Sequence, residues 1–258
     1  MEPTIQRLSF DFSKENTNTN EQSERPEYNP GPVDFFIPAI AEFIGSFLFT
    51  FLSIFSYLHT PNIQLAGSLI DGATSYIIVC SLGQFSGAHF NPAQTLSVIF
   101  VGKCRLAIGI FIIFMQFLGA FFGAVYGQCV MEENAFAVAM HVAMKWSSMN
   151  VHASSPLQYF VMELTLSALI CCAYLFTGII SDGKNGSLCA TVVAAARATV
   201  NFVGYSTVGQ TANLARTIAF ASASYIFLSI SDKWRLVYIP IFANIISPFF
   251  AASIYWFD

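Results

Sequence analysis

Two stretches of this chain carry side chains able to act on something held inside the molecule. The first is Gly87-Ala88-His89-Phe90-Asn91-Pro92-Ala93-Gln94-Thr95-Leu96, and the second is Gly209-Gln210-Thr211-Ala212-Asn213-Leu214-Ala215-Arg216-Thr217-Ile218. They share a Gly, an Asn four residues on, an Ala two beyond it, and a Thr followed by a branched aliphatic. The chemistry on offer is non-covalent. An Asn amide holds two N–H donors toward a passing oxygen, and a helix that starts there adds about half a positive charge. Asn is a preferred N-cap, and Pro92 fits the first helical position, where its missing N–H is no loss. Leu214 replaces that Pro in the second copy, which is tolerable because Asn213 does the capping. Ser, His and Asp occur elsewhere, but no spacing sets a nucleophile beside a base, so no enzyme activity is expected. His89 has too few neighbouring ligands for a metal site, and neither metal nor cofactor is expected.

The elements around these stretches must place them in a bilayer. Apolar runs long enough to cross about 30 Å of hydrocarbon lie at roughly 36–58, 67–86, 106–128, 157–180, 188–206 and 235–256. The segments at about 91–101 and 213–224 are too short to cross. Such re-entrant half-helices are tolerated at membrane depth where protein or a water-filled cavity satisfies their backbone. The fold class is therefore an all-α membrane protein of six transmembrane helices and two re-entrant half-helices. Repeat one covers 36–128, a loop 129–156, and repeat two 157–256, all within a channel domain of 35–258. Three spans per copy means the second copy is inserted upside down, so the half-helices enter from opposite faces and meet at their N-termini. Paired interrupted segments of this kind mark a solute site at mid-depth.

Composition agrees. The chain is 55% hydrophobic and only 10% charged, against roughly 25% charged for a soluble domain. Residues 1–34 are polar, rich in Glu, Asn, Ser and Pro, and are expected to be disordered. They hold most of the acidic excess behind the formal net charge of -4. No basic cluster points to nucleic acid as a partner. No cleavable signal is visible, so the first span must direct insertion. None of the six cysteines forms a C-x-x-C pair, and most lie in apolar runs, where thiols pack as small hydrophobes. Basic residues in the loops weakly favour both termini on the cytoplasmic side. The host membrane, plasma or internal and vacuolar, is not specified by the sequence.

Ala-Glu-Phe-x-Gly near the start of the first span, Ser-Gly-Ala-His-Phe-Asn-Pro-Ala, and Asn-Leu-Ala-Arg before the last span resemble the aquaporin family of water and glycerol channels. The resemblance covers about 36–256. It implies a pore centre of Asn91, Pro92, Ala93, Asn213, Leu214 and Ala215, with both amides facing the lumen. Glu42 and Glu163 are ionisable residues inside spans and so functional suspects. The resemblance gives them, with His89, the structural task of tethering the two loops. It also implies a homotetramer with one pore per subunit. Small residues such as Gly45, Ser46, Gly119, Ala120, Gly123 and Ala124 would permit close helix approach within or between subunits.

By the same resemblance, distance from the two Asn residues puts a selectivity filter at Asp71, Asn201, Gln210 and Arg216. Water-selective relatives have an aromatic and a His at the first two positions; this chain has Asp and Asn. Arg197 lies four residues before Asn201, on the same helix face and one turn toward the centre. A lone buried Arg needs a carboxylate or carbonyl oxygens, and Asp71 is the nearest carboxylate by depth. A network of Asp71, Arg197 and Arg216 is expected, with Arg197 as a possible pore gate. Thr217 and Ala221 depart from the glycerol pattern and lean toward water. The expected function is a passive channel for water, with small uncharged solutes such as glycerol, excluding protons and cations. A glycerol or anion-permeable channel and a closed, non-conducting membrane protein stay open as alternatives.

Overall fold

A computed structural model describes residues 32–58, 62–148, 155–180, 186–209 and 212–257. The polar tail through residue 31, and with it the expectation of disorder there, lies outside the described residues, as does Gln210. Among the described residues every regular element is a helix. The long elements are α1 Pro32–Ile54, α2 Ile63–Ser86, α4 Leu106–Val130, α6 Ser155–Tyr174, α7 Gly186–Thr207 and α9 Tyr238–Phe257. These six, with short 3₁₀ or π extensions on α1, α6 and α9, are long and apolar enough to cross a membrane. The first helix begins at Pro32, inside the segment expected as tail. Proline suits that position because the first N–H groups of a helix are unpaired in any case.

Two short helices complete the repeats: α3 Pro92–Phe100, with 9 residues, and α8 Leu214–Leu228, with 15. At 1.5 Å per residue they reach roughly 14 and 22 Å, which cannot span the hydrocarbon. Each packs on the last span of the opposite repeat, α3 on α9 and α8 on α4. The halves are thereby interlocked across their pseudo-twofold relation. Within the repeats α1 runs along α4 and α6 along α9, while α2 and α7 face each other across the middle.

The small residues of α4 serve packing inside the chain. A Cβ on Gly119 would collide with the carbonyl oxygen of Phe43, and one on Gly123 with that of Phe47, so α1 lies backbone to backbone on α4. Ala120 and Ala124 are buried on the same stripe. Apolar side chains such as Ile77, Phe114, Phe249 and Trp256 face outward, where lipid would meet them.

The segment expected as a loop between the repeats carries a further helix, α5 Glu133–Ala143. Glu133 in its first turn and His141 in its last suit the helix dipole. Phe136, Ala139, Met140 and Ala143 are buried at the spacing of one helix face. They join Trp146, Tyr57, Tyr159 and Phe220 in one hydrophobic core. Of the six cysteines, all free, Cys104, Cys171 and Cys189 are buried as small apolar groups, while Cys80 and Cys129 are exposed.

Candidate functional site

The two half-helices meet N-terminus to N-terminus through their caps. Asn91 and Asn213 are both extended, with φ of -159° and -152°, and each turns its Oδ1 back onto its own helix. Asn91 Oδ1 accepts from Ala93 N at 3.2 Å, and Asn213 Oδ1 accepts from Arg216 N at 3.3 Å. That fixes each Nδ2 as a donor toward the other loop. Asn91 Nδ2 donates to Ala212 O and Asn213 Nδ2 donates to Phe90 O, both at 2.9 Å. The carbonyls belong to residues forced left-handed, Phe90 at φ 46° and Ala212 at φ 58°. Gly87 and Gly209 open the two loops at φ 88° and 95°, a region most L side chains avoid. Pro92 and Leu214 take the first helical positions, and Ala93 and Ala215 are buried behind them.

A carboxylate anchors each loop from behind. Glu42 accepts the His89 and Phe90 N–H groups at 2.8 and 2.7 Å. It also accepts Ser86 Oγ at 2.9 Å and Gln116 Nε2 at 2.7 Å. Glu163 accepts the Ala212 N–H at 2.8 Å and Asn244 Nδ2 at 2.7 Å. A fully buried carboxylate is tolerable when its lone pairs are occupied, as both oxygens of Glu42 are; in Glu163 both bonds fall on Oε1, and Oε2 is buried without a partner. Gln116 on α4 and Asn244 on α9 are repeat-mates that reading the sequence missed. Their signal was an amide side chain within an otherwise apolar span. His89 sits in the first loop with Nδ1 3.1 Å from Thr95 Oγ1 and its ring edge-on to Tyr174. Among the described residues no cluster of side chains could hold a metal.

The positions expected to form a filter do come together, as far as they are described. Asp71 Oδ2 accepts Arg216 Nη1 at 2.7 Å and Asn201 Nδ2 at 2.8 Å, and its Oδ1 accepts Ser56 Oγ at 3.1 Å. Asn201 also reaches the Tyr57 hydroxyl at 3.4 Å. Two aromatic residues were missed here: Tyr57, and Phe49, whose ring lies 4.7 Å from the Arg216 guanidinium and 5.2 Å from that of Arg197.

Arg197 corrects one expectation. It forms no hydrogen bond to Asp71, whose oxygens are already taken by Arg216, Asn201 and Ser56. Instead Nη1 donates to Ala212 O at 3.1 Å and Nη2 donates to Gln94 Oε1 at 2.8 Å. The Arg197 side chain thus bridges from α7 to α3 and to the loop before α8.

Arg197 also lines a small cavity, with room for about one water, together with Gln94, His89, Ser75, Val79, Val193 and others. Counting from each Asn, four of the lining residues are the repeat-mates of the filter positions. Gln94 answers Arg216, Val79 answers Asn201, Ala88 answers Gln210 and Val193 answers Asp71. One half of the pseudo-twofold arrangement is a polar cluster, and the other is a largely apolar cavity with Arg197 at its edge.

Six apolar spans in two halves, closed by short helices that meet cap to cap, define an integral multi-pass membrane protein of aquaporin-like fold. The model of the major intrinsic protein family matches residues 32–255. The chain belongs to that family. It is 30% identical over 193 residues to the lens fiber major intrinsic protein of Gallus gallus, covering 72% of this chain and 70% of that one. It is 35% identical to Aquaporin-8 of Mus musculus over 101 residues, 38% of this chain and 39% of the relative's length. The chain thus spans well under half the length of that curated relative. The solved aquaglyceroporin of Plasmodium falciparum superposes with a TM-score of 0.63 at 20% identity, covering 84% of this chain and 96% of that one. That likeness concerns the fold.

Proposed function

We propose that the protein is a passive channel for water and small uncharged solutes, with Asn91 and Asn213 at the centre of the pathway. The reciprocal amide contact between the half-helices is the observation that carries this reading. Two helix N-termini and two amide donors converge on one spot, which favours a neutral oxygen and repels cations and protonated water. Pro92, Ala93, Leu214 and Ala215 complete the centre, Glu42, Glu163 and His89 hold its loops, and Asp71, Asn201 and Arg216, with Gln210, form the filter. Membership of the family supports the same assignment and a homotetramer, and the basic residues of the loops favour both termini on the cytoplasmic side. Osmotic shrinkage of proteoliposomes tests it: water flux above that of empty vesicles is expected. Flux equal to that of empty vesicles under every osmotic gradient would overturn it.

Two contacts favour a pathway that is narrow at rest. Arg216 is tied to Asp71, and Arg197 bridges to Gln94 and Ala212 O. Arg197 then acts as a gate, and Arg197→Ala raises the osmotic rate per protein. Equal rates in Arg197→Ala and wild type would remove Arg197 from the pathway.

A further inference from the structure

Two arginines are buried near the meeting point of the half-helices, Arg197 and Arg216 lying 5.2 and 4.7 Å from the centre of the same Phe49 ring. Guanidinium keeps its proton in a protein, so each brings a full positive charge. The negative charge around them is not shared evenly. Asp71 acts on both, but it touches Arg216, at 2.7 Å, and Glu163 adds to the field on Arg216 from behind the second loop. The hydrogen-bond partners of Arg197 are neutral, Ala212 O at 3.1 Å and Gln94 Oε1 at 2.8 Å. Arg197 feels the like charge of Arg216 more strongly than the opposite charge of Asp71.

The arginine of the filter is thus answered by a carboxylate in contact with it, and the positive charge left over sits one turn deeper. Arg197 is four residues before Asn201 on α7, on the same helix face. Its Nη1 shares the Ala212 carbonyl with Asn91 Nδ2. That carbonyl stands where the two half-helix N-termini converge, each with about half a positive charge. A full charge added at the same place outweighs them, because Coulomb forces grow at short range and the interior screens them poorly.

We infer that Arg197, rather than the filter residue Arg216, is the charge that turns cations and protonated water away, because Asp71 is spent on Arg216. This rests on the channel reading and assigns Arg197 a part in charge selection, apart from the width of the path. The test is proton entry into proteoliposomes, followed with a trapped pH-sensitive dye under a fixed inside-negative potential, with osmotic water flux read on the same vesicles. Wild type should pass water and hold protons out. Arg197→Gln should raise proton entry by about tenfold or more. Gln94→Glu keeps the side-chain volume and sets a carboxylate against Arg197, so it should leak too, and it decides the matter if Arg197→Gln does not fold. Arg197→Gln combined with Asp71→Asn keeps the shorter side chain but frees the charge of Arg216, and proton entry should fall back toward the wild-type rate. A mere hole beside the shorter side chain would leak equally in the single and the double variant, and that result overturns the inference. So does proton entry at the wild-type rate in Arg197→Gln and Gln94→Glu vesicles that pass water. Water flux no greater than in empty vesicles sinks the channel reading and this inference with it. Water flux without these charge-dependent leaks sinks the inference alone.

Discussion

At the scale of single residues, the buried carboxylate of Glu42 is matched to the groups around it, since all four of its described partners are donors. Glu42→Gln turns one accepting oxygen into an amide nitrogen facing donors. A loss of roughly 1–3 kcal/mol is expected, read as a lower thermal unfolding midpoint in detergent. Asp71→Ala breaks a buried ion pair and should cost more, about 3–5 kcal/mol on the same measurement. If the two variants unfold like the wild type, these carboxylates are not holding the loops and the filter. Asn91, Asn213, Glu42 and Glu163 were legible in the sequence because their spacing repeats. Gln116, Asn244, Tyr57 and Phe49 were not, because a lone polar or aromatic residue in a span has no partner until the helices pack.

At the scale of elements, caps and close approaches decide the architecture. Pro92 and Leu214 occupy equivalent first positions, where an N–H is not needed. Leu214→Pro should therefore leave stability within about 1 kcal/mol and osmotic flux unchanged. A large loss in either measurement would mean that the Leu214 N–H or side chain does more than start α8. The α1–α4 contact is less forgiving. Gly119→Leu forces a side chain into the Phe43 carbonyl, and collapse of expression or monodispersity is the expected outcome in size-exclusion chromatography. Helix α5 shows where element reading from sequence stops. Its buried face has helical spacing, but eleven residues are too few to span, and only docking on Tyr57 and Phe220 gives that face a purpose.

At the scale of the whole molecule, the inverted repeat makes two unlike halves from one plan. The half with Asp71, Asn201 and Arg216 is polar and charge-paired, and its repeat-mates Val193, Val79 and Gln94 line an opposing cavity. On the proposed channel reading, the two helix N-termini between them set a barrier to cations from either side. Planar-bilayer recordings should therefore show no cation current while vesicles of the same protein pass water. A sodium or potassium current would sink the exclusion argument even if water flux were present.

The sequence by itself determined the six spans, the two capped half-helices and the residues that repeat between them, because hydrophobic period and capping chemistry are local. Only the tertiary structure decided which donor meets which acceptor across more than a hundred residues. Arg197 is the clearest instance: its helix face was readable, but its choice of Gln94 and Ala212 O depended on Arg216 reaching Asp71 first. Competition for one carboxylate is a property of packed neighbours, and no stretch of chain contains it.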